Sequence, residues 1–405
     1  MTQISPLFSN KLNQSVKSPI KFGAINNAKV DLTTKSDSID LSKNNFDKKK
    51  ILKYGTIGIA FLGLAAGVAA IIKKGKVPSE ILSVQKSAND MEKEAISIAE
   101  GVQKTVDNEI KPLQESAEKL AEEIKDRAEK IKSEVTELFN NGGKKGGIQA
   151  ADILKSEDET SLMKEFNSDG KLLRKSRFNS NGLLLFVEES SDVGCTRYKF
   201  SNGSIKNYQE GVETLADGTH KIAKSLTLYA DGTYSYKFGL EKMPDKTCLT
   251  NKSLLVDGNE IYEYSEGLEK SPNKINKAAK KFIFEDGQLS EYLEDFEKLP
   301  DGSEKTLKAL VFDNGEIVAY DKLGVRIPNK TDKYAQYMDF EDGKAVEYME
   351  DFEERADDTI KYAKNLSFLD GEPVSYVEGF ESMPDNDIKI AKSLTKEGSK
   401  WVEKN

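Results

Sequence analysis

The sequence predicts a multidomain α plus all-β protein: a transmembrane helix and a long amphipathic helix, then an antiparallel β-meander repeat array with a period of about 28 residues. Three observations predict it. A tight-turn motif returns at nearly constant spacing through the C-terminal half. An uncharged run sits near the N-terminus. A helical stripe of apolar residues lies between them.

The repeat comes first because a fixed period decides architecture. Its mark is an aromatic-x-Asp/Asn-Gly turn: Phe200-x-Asn202-Gly203, Tyr229-x-Asp231-Gly232, Phe284-x-Asp286-Gly287, Phe312-x-Asn314-Gly315, Phe340-x-Asp342-Gly343 and Phe368-x-Asp370-Gly371. Leu255-x-Asp257-Gly258 is a variant, and Glu397-Gly398 is a worn last copy. Counting from the turn glycine, the fullest copies place Tyr at +5, Glu at +7, an apolar residue at +9 and Glu at +10, as in Tyr376, Glu378, Phe380 and Glu381. A second turn near +14, such as Pro300-Asp301-Gly302, is followed by Lys at +18 and +21 and Leu at +23.

These offsets predict a register. A hairpin centred on +14 sets Tyr376 against Leu394, Phe380 against Ile390, Glu378 against Lys392 and Glu381 against Lys389. Apolar meets apolar and Glu meets Lys, each pair contributing roughly 0.2–1 kcal/mol. That pairing requires a three-residue loop at Pro-Asp-Gly. Side chains alternate faces along a strand, so keeping Phe at −3 and Tyr at +5 on one face asks for a three-residue loop at x-Asp-Gly as well. The apolar residues then lie mainly on one face. Turns at Gly170 and Gly182 are closer together than the period, so the array over residues 151–405 begins with an irregular cap.

The aromatic-x-Asp/Asn-Gly turn with a strand on each side resembles MORN-type repeats in their bacterial YwqK-like variant, over roughly residues 165–400. The second Pro-Asp turn is not part of that pattern. The resemblance implies an elongated antiparallel sheet that contacts protein or membrane, and it carries over no catalytic residue.

From Tyr54 to Ile72 the chain has no charged residue. As a helix this run spans about 28 Å, close to a bilayer's hydrocarbon core. Lysines flank both ends of this segment, residues 51–76, in nearly equal number, so the charge bias does not fix orientation. Gly63 and Gly67 form a GxxxG pair that permits close helix–helix contact and homo-oligomerisation. Residues 1–50, rich in Ser, Asn, Lys and Thr, read as a disordered tail.

Residues 79–140 carry apolar positions from Val84 to Leu138 at a mean spacing of about 3.6, which is a helix stripe. Alanines make the stripe thin, so it suits a modest coiled coil or a stalk. Pro112 lacks a backbone donor and crowds the preceding turn, so a kink is expected there. A glycine-rich span followed by an Ala/Glu/Lys helix resembles small bacterial YtxH-like membrane proteins. Residues 141–150, Asn-Asn-Gly-Gly-Lys-Lys-Gly-Gly-Ile-Gln, read as a Gly-rich flexible linker.

Composition narrows the function. The net charge is −9, yet residues 1–53 carry ten lysines against four aspartates, so the rest is strongly acidic. An acidic body argues against a nucleic-acid surface. One histidine, His220, and two cysteines, Cys195 and Cys248, cannot assemble a zinc, haem or iron–sulfur framework. The two cysteines sit about two repeats apart, so no disulfide is expected. Asp-Gly at every turn is a steric need rather than a calcium loop. No catalytic, cofactor-binding or metal-binding residue is singled out.

The expected function is therefore that of a single-pass, membrane-anchored, non-enzymatic scaffold or binding surface for a protein or polysaccharide. Alternatives are a secreted effector delivered to another membrane, or a carboxylate-dependent hydrolase. The irregular copy Asp321-Lys322-Leu323-Gly324-Val325-Arg326, with Arg326 where Glu is expected, is a candidate partner site. Phe340 and Phe368 are expected to pack repeat on repeat.

Overall fold

The computed structural model describes residues 70–71, 77–156, 159–191, 194–328, 331–384 and 387–404. Residues 69–404 form one compact unit. It holds a 22-stranded antiparallel sheet in which successive strands of the array pair as neighbours. A single long helix packs along one face of that sheet. It comprises Ser79–Thr105, a π turn at Val106–Ile110, and Lys111–Asn140.

The helix is not a stalk or a coiled coil, as the stripe had suggested. Its apolar seam, from Ile81, Val84 and Ala88 to Val135 and Leu138, shares one buried cluster with the sheet's aromatic residues. The polar rim keeps the register. Glu80 pairs with Lys392, Glu94 with Lys308 and Lys322, Glu109 with Lys252, Arg127 with Glu189, and Glu134 with Arg174. The helix therefore runs from the last repeat back to the first. From Glu80 to Glu134 it rises about 81 Å. Their partner strands are sixteen steps apart in the sheet, about 77 Å at roughly 4.8 Å per step. Each strand thus meets nearly one helical turn.

Pro112 causes no break. The π turn ends just before it, and the helix continues through Lys111–Asn140. One extra residue in the wider turn absorbs the carbonyl that a proline ring would strike. Residues 141–150 are likewise no loose linker. Gly143 accepts backbone hydrogen bonds from Ala150 and Ala151, and Lys144–Lys145 pairs with Ile148–Gln149. A Cβ on Gly143 would lie 2.3 Å from the Ala151 carbonyl oxygen, so this reversal needs glycine.

Under the helix runs a row of residues in direct cross-strand register. Tyr208, Tyr236, Tyr264, Tyr292, Tyr320, Tyr348 and Tyr376 recur every 28 residues. They alternate with Leu226, Leu254, Phe282, Leu310, Met338, Leu366 and Leu394. All are buried. The predicted pairs Tyr376–Leu394, Glu378–Lys392 and Glu381–Lys389 are present. Phe380–Ile390 is not among the paired positions, although the equivalent Val212–Ile222 is. Phe340 and Phe368 pack in the buried cluster beneath the helix.

The Pro-Asp-Gly loop has three residues, since Leu299 and Ser303 close it with a hydrogen bond from Leu299 N to Ser303 O. The aromatic-x-Asp-Gly turn differs from expectation. Asp342 and Gly343 both have positive φ and form a two-residue loop between Glu341 and Lys344. This mirror-image turn matches strand twist. Phe340 then pairs with Ala345 while Asp339 pairs with Glu347, leaving Val346 as an extra bulge residue. The bulge restores the shared face that the short turn would have lost. Only the 229–233 hairpin keeps the expected three-residue form among the aromatic-x-Asp/Asn-Gly turns.

The predicted span is only touched at its end. Ala70–Ile71 forms a two-residue strand paired with Val402 and Glu403, so these two residues of the run are strand and not helix. No described helix is long and apolar enough to cross a membrane. Residues 54–69, with Gly63 and Gly67, and the tail 1–50 lie outside the described residues.

The tight seam makes a prediction. Ala128→Leu should cost about 1–3 kcal/mol by overpacking, measured by urea denaturation, whereas Glu122→Leu on the exposed side of the helix should change stability little.

Candidate functional site

With the inner face covered by the helix, the opposite face of the sheet is what the array presents. Its chemistry is set by a backbone device. In the middle of every second strand lies a residue of positive φ: Gly211, Gly239, Gly267, Asp295, Leu323, Asp351 and Gly379, spaced by 28. Such a residue breaks the simple alternation of faces. Tyr334, Tyr337 and Phe352 gather in one cluster with ring centroids 5.4–5.9 Å apart, and Lys281 Nζ lies 4.8 Å from the Phe296 ring centre. Tyr362 stacks on Phe380 at 4.5 Å. The outer face thus carries its own apolar strip, against the expectation of one apolar face. Space at the device is tight: a Cβ on Gly379 would meet the Ala391 Cβ at 2.7 Å.

The copy flagged by its irregular sequence breaks this pattern several ways at once. Leu323 holds φ 52°, a conformation costly for a bulky side chain, and is 58% exposed. Leu307, on the neighbouring strand, is 38% exposed. Gly324 stands where neighbouring copies have Phe296 and Phe352, and Asp321 where they have Leu293 and Met349. A Cβ on Gly324 would sit 2.7 Å from both Asp321 Oδ1 and Thr306 Oγ1, and 3.3 Å from the Tyr334 ring. The missing side chain is what lets the carboxyl in.

Asp321 is 2% exposed, and its Oδ1 has no hydrogen-bond partner. Its Oδ2 lies 3.6 Å from Arg326 Nη2, while Arg326 Nη1 makes a closer ion pair, 2.7 Å, with Glu291. Burial pushes the Asp321 carboxyl up to about 7, with Arg326 opposing and Glu291 and Asp332 adding to the rise. On the strand Lys344–Arg355 Glu347 is 9% exposed and accepts a hydrogen bond from Asn365 Nδ2 at 2.5 Å. Asp339 stands directly across from it and accepts from the Tyr337 hydroxyl at 2.7 Å. Burial raises the Glu347 carboxyl to about 8, and the Asp339 charge adds to the rise. Both carboxyls therefore hold protons near neutrality, where ordinary ones are ionised.

Sequence reasoning found Asp321 and Arg326 but missed Glu347, Asn365, Leu307 and the role of Gly324. Part of the signal was available: Asn365, Leu307 and Gly324 depart from their columns when copies are set out at a spacing of 28, whereas Glu347 shares its column with Glu263 and Glu291. The other flagged residues are structural. His220 Nδ1 lies 2.9 Å from the Thr214 hydroxyl, and Cys195 and Cys248 are free thiols packed against Val212, Ile222 and Leu240. Among the described residues no three His, Cys, Asp or Glu side chains are placed to hold a metal ion. A cleft lined by Arg127, Leu173, Arg174, Glu189, Ser190 and Thr196 has its guanidiniums already matched, since both converge on Glu189 at 2.8 and 3.9 Å.

A carboxyl with a raised folded-state pKa favours folding at low pH, and that contribution is lost as pH rises. For Asp321 the loss runs from about 4 to about 7. At roughly 1.4 kcal/mol per tenfold change in proton affinity the ceiling is about 4 kcal/mol. Asp321→Asn should therefore be more stable than the parent at pH 8, with the advantage shrinking towards pH 4 in urea titrations. Separately, Leu323→Gly should raise stability by about 1 kcal/mol by relieving the left-handed backbone, read as a shift in the urea midpoint.

Comparison with known proteins gives little beyond this. No family model matches the chain, and no curated protein matches it. Among solved structures, a TcdB2–TccC3–TEV chain is similar at 7% identity and TM-score 0.14, over 60% of this chain and 19% of that one. A porin-like protein from Bacteroides uniformis is similar at 9% identity and TM-score 0.13, over 63% and 93%. The chain spans about a fifth of the TcdB2–TccC3–TEV chain's length.

Proposed function

We propose that this chain is a membrane-anchored, non-enzymatic scaffold whose sheet offers an extended outer face to a protein partner, a polysaccharide being the alternative class. The anchor is the uncharged run 54–72, with Gly63 and Gly67 available for self-association. The MORN-like turn pattern is consistent with such a role. No nucleic acid is involved, because the body is acidic.

One observation carries the reading. The helix consumes the inner face, and on the outer face the copy at 304–327 spends stability on features that packing does not require. An exposed leucine holds the left-handed position where its neighbours have Asp295 and Asp351, an exposed leucine on the next strand stands where they have Ala279 and Ala335, and a buried carboxyl stands where they have Leu293 and Met349. Local strain of this kind is kept where function uses it. Exposed leucines beside a rigid strip are suited to anchoring a partner.

A photo-crosslinking residue in place of Leu323, in intact cells, should give a discrete adduct that Leu307→Asp abolishes. The same residue in place of Glu123, on the solvent side of the helix, should give none. Equal labelling from both positions would remove the outer face from consideration. In the same cells, the full chain should stay in the membrane pellet through an alkaline carbonate wash, and a chain lacking residues 54–72 should be released.

A further inference from the structure

We propose that the first strand of the array, Ala151–Lys155, is a dimer contact: it pairs edge to edge with the same strand of a second copy of this chain, joining two arrays into one continuous sheet about a two-fold axis at Leu154. The inference is independent of the membrane anchor and of any partner on the outer face.

The two edges of the sheet differ. The last strand, Lys400–Glu403, carries Ala70–Ile71 along its outer side. The first strand pairs with Ser161–Phe166 on one side, and among the described residues no strand pairs with its other side. The two edges do not close on each other, because the helix holds the ends of the array apart. Glu134 pairs with Arg174 near the first edge and Glu80 with Lys392 near the last, about 81 Å away along the helix. A strand edge left in this state is a template for another strand.

What this edge offers is fixed by the phase of its hydrogen bonds. Phe166 N donates to Ala150 O at one end, and Ser156 N donates to Thr160 O at the other. In an antiparallel ladder those bonds bracket Ala151–Glu165 and Lys155–Ser161 as wide pairs, so Ala151, Ile153 and Lys155 turn their N–H and C=O groups outward. Those of Ala151 are taken: its N–H donates to Gly143 O, and its C=O accepts from the Gln149 side chain. The groups of Ile153 and Lys155 have no partner among the described residues. When each copy contributes residues 151–155, one two-fold register uses all of them. It sets Ile153 of each copy opposite Lys155 of the other and Leu154 opposite Leu154. The alternative with Ile153 opposite Ile153 sets Ala151 opposite Lys155, and would have to break the bonds to Gly143 and Gln149.

The side chains agree with that register. Ile153 packs on the helix side, so Leu154 points to the outer face, where it is 51% exposed and stands across from Leu162. Pairing extends this into an unbroken row of leucines from Leu162 of one copy to Leu162 of the other. Ile153 meets the aliphatic stem of Lys155, and Asp152 comes opposite Ser156, so no like charges face each other directly. The same patch serves both copies, and the contact therefore closes at two. Pairing of a first edge with a last edge would propagate without closing, and Ala70–Ile71 stands in its way.

The test is disulfide trapping of single-cysteine variants of the full chain in mild detergent, with the parent chain giving the background from Cys195 and Cys248. In a wide antiparallel pair the Cα atoms are about 4.5 Å apart, within reach of a disulfide. Oxidised Leu154→Cys should become mostly covalent dimer. Ile153→Cys and Lys155→Cys should stay at background, since each faces a different residue. Adding Lys155→Pro to Leu154→Cys removes an outward donor that the fold itself does not use, so it should abolish the dimer and leave the urea midpoint unchanged. Absence of dimer at position 154 overturns the contact, as does equal trapping at 153 or 155, the pattern of copies held together only through Gly63 and Gly67. Trapping that survives Lys155→Pro is random collision and overturns it too.

Discussion

The interaction on which the rest depends is the docking of one α-helix across the strands of a long sheet. Two unrelated lengths nearly coincide. A helical turn advances about 5.4 Å and a strand step about 4.8 Å. Every strand can therefore offer one apolar residue to one turn, and a 28-residue hairpin takes up two turns. A single sheet of this length would otherwise leave an apolar face in water. The helix is the missing layer, supplied by the same chain, which satisfies the need for two packed layers around a core.

Much of this was legible, for physical reasons. Turn chemistry fixes loop positions, so the period, the meander and the Glu–Lys pairing could be read from Asp-Gly and Pro-Asp-Gly. What the helix packs against could not be read. A stripe such as Val84–Leu138 looks the same whether it faces another helix or a sheet, because periodicity reports which side is buried and not by what. The expected kink at Pro112 failed since one wide turn satisfies the same steric demand. The loop at Asp342-Gly343 was misjudged because two devices, a short turn and a bulge at Val346, together give the facing that one longer loop would.

The candidate site was half legible for a related reason. Asp321 differs in charge from Leu293 and Met349 in its column and is conspicuous, whereas Arg326 shares its column with Lys270 and Lys298. Glu347 is one acidic residue among many, and only its burial opposite Asp339 distinguishes it. Gly324 looks like any turn glycine until its neighbours show that a phenylalanine belongs there. Positive-φ residues are hardest of all to foresee. Glycine at 211, 239, 267 and 379 signals them, but Asp295, Leu323 and Asp351 adopt the same backbone without announcing it.

The helix and the array run in opposite directions, which has a consequence for how the chain assembles. The Arg174–Glu134 contact joins residues 40 apart, whereas Lys392 and Glu80 are 312 apart. A ribosome delivers the helix first and its last partner strand at the end. Docking can begin at the helix C-terminus and zip backwards as each hairpin emerges, so the cost of closing each new loop falls only after its neighbours are in place. Until the final hairpin is made, the first turns of the helix have an apolar seam and no surface to cover it. A truncated nascent chain is in that state for the whole of its synthesis, and such chains are the natural clients of chaperones.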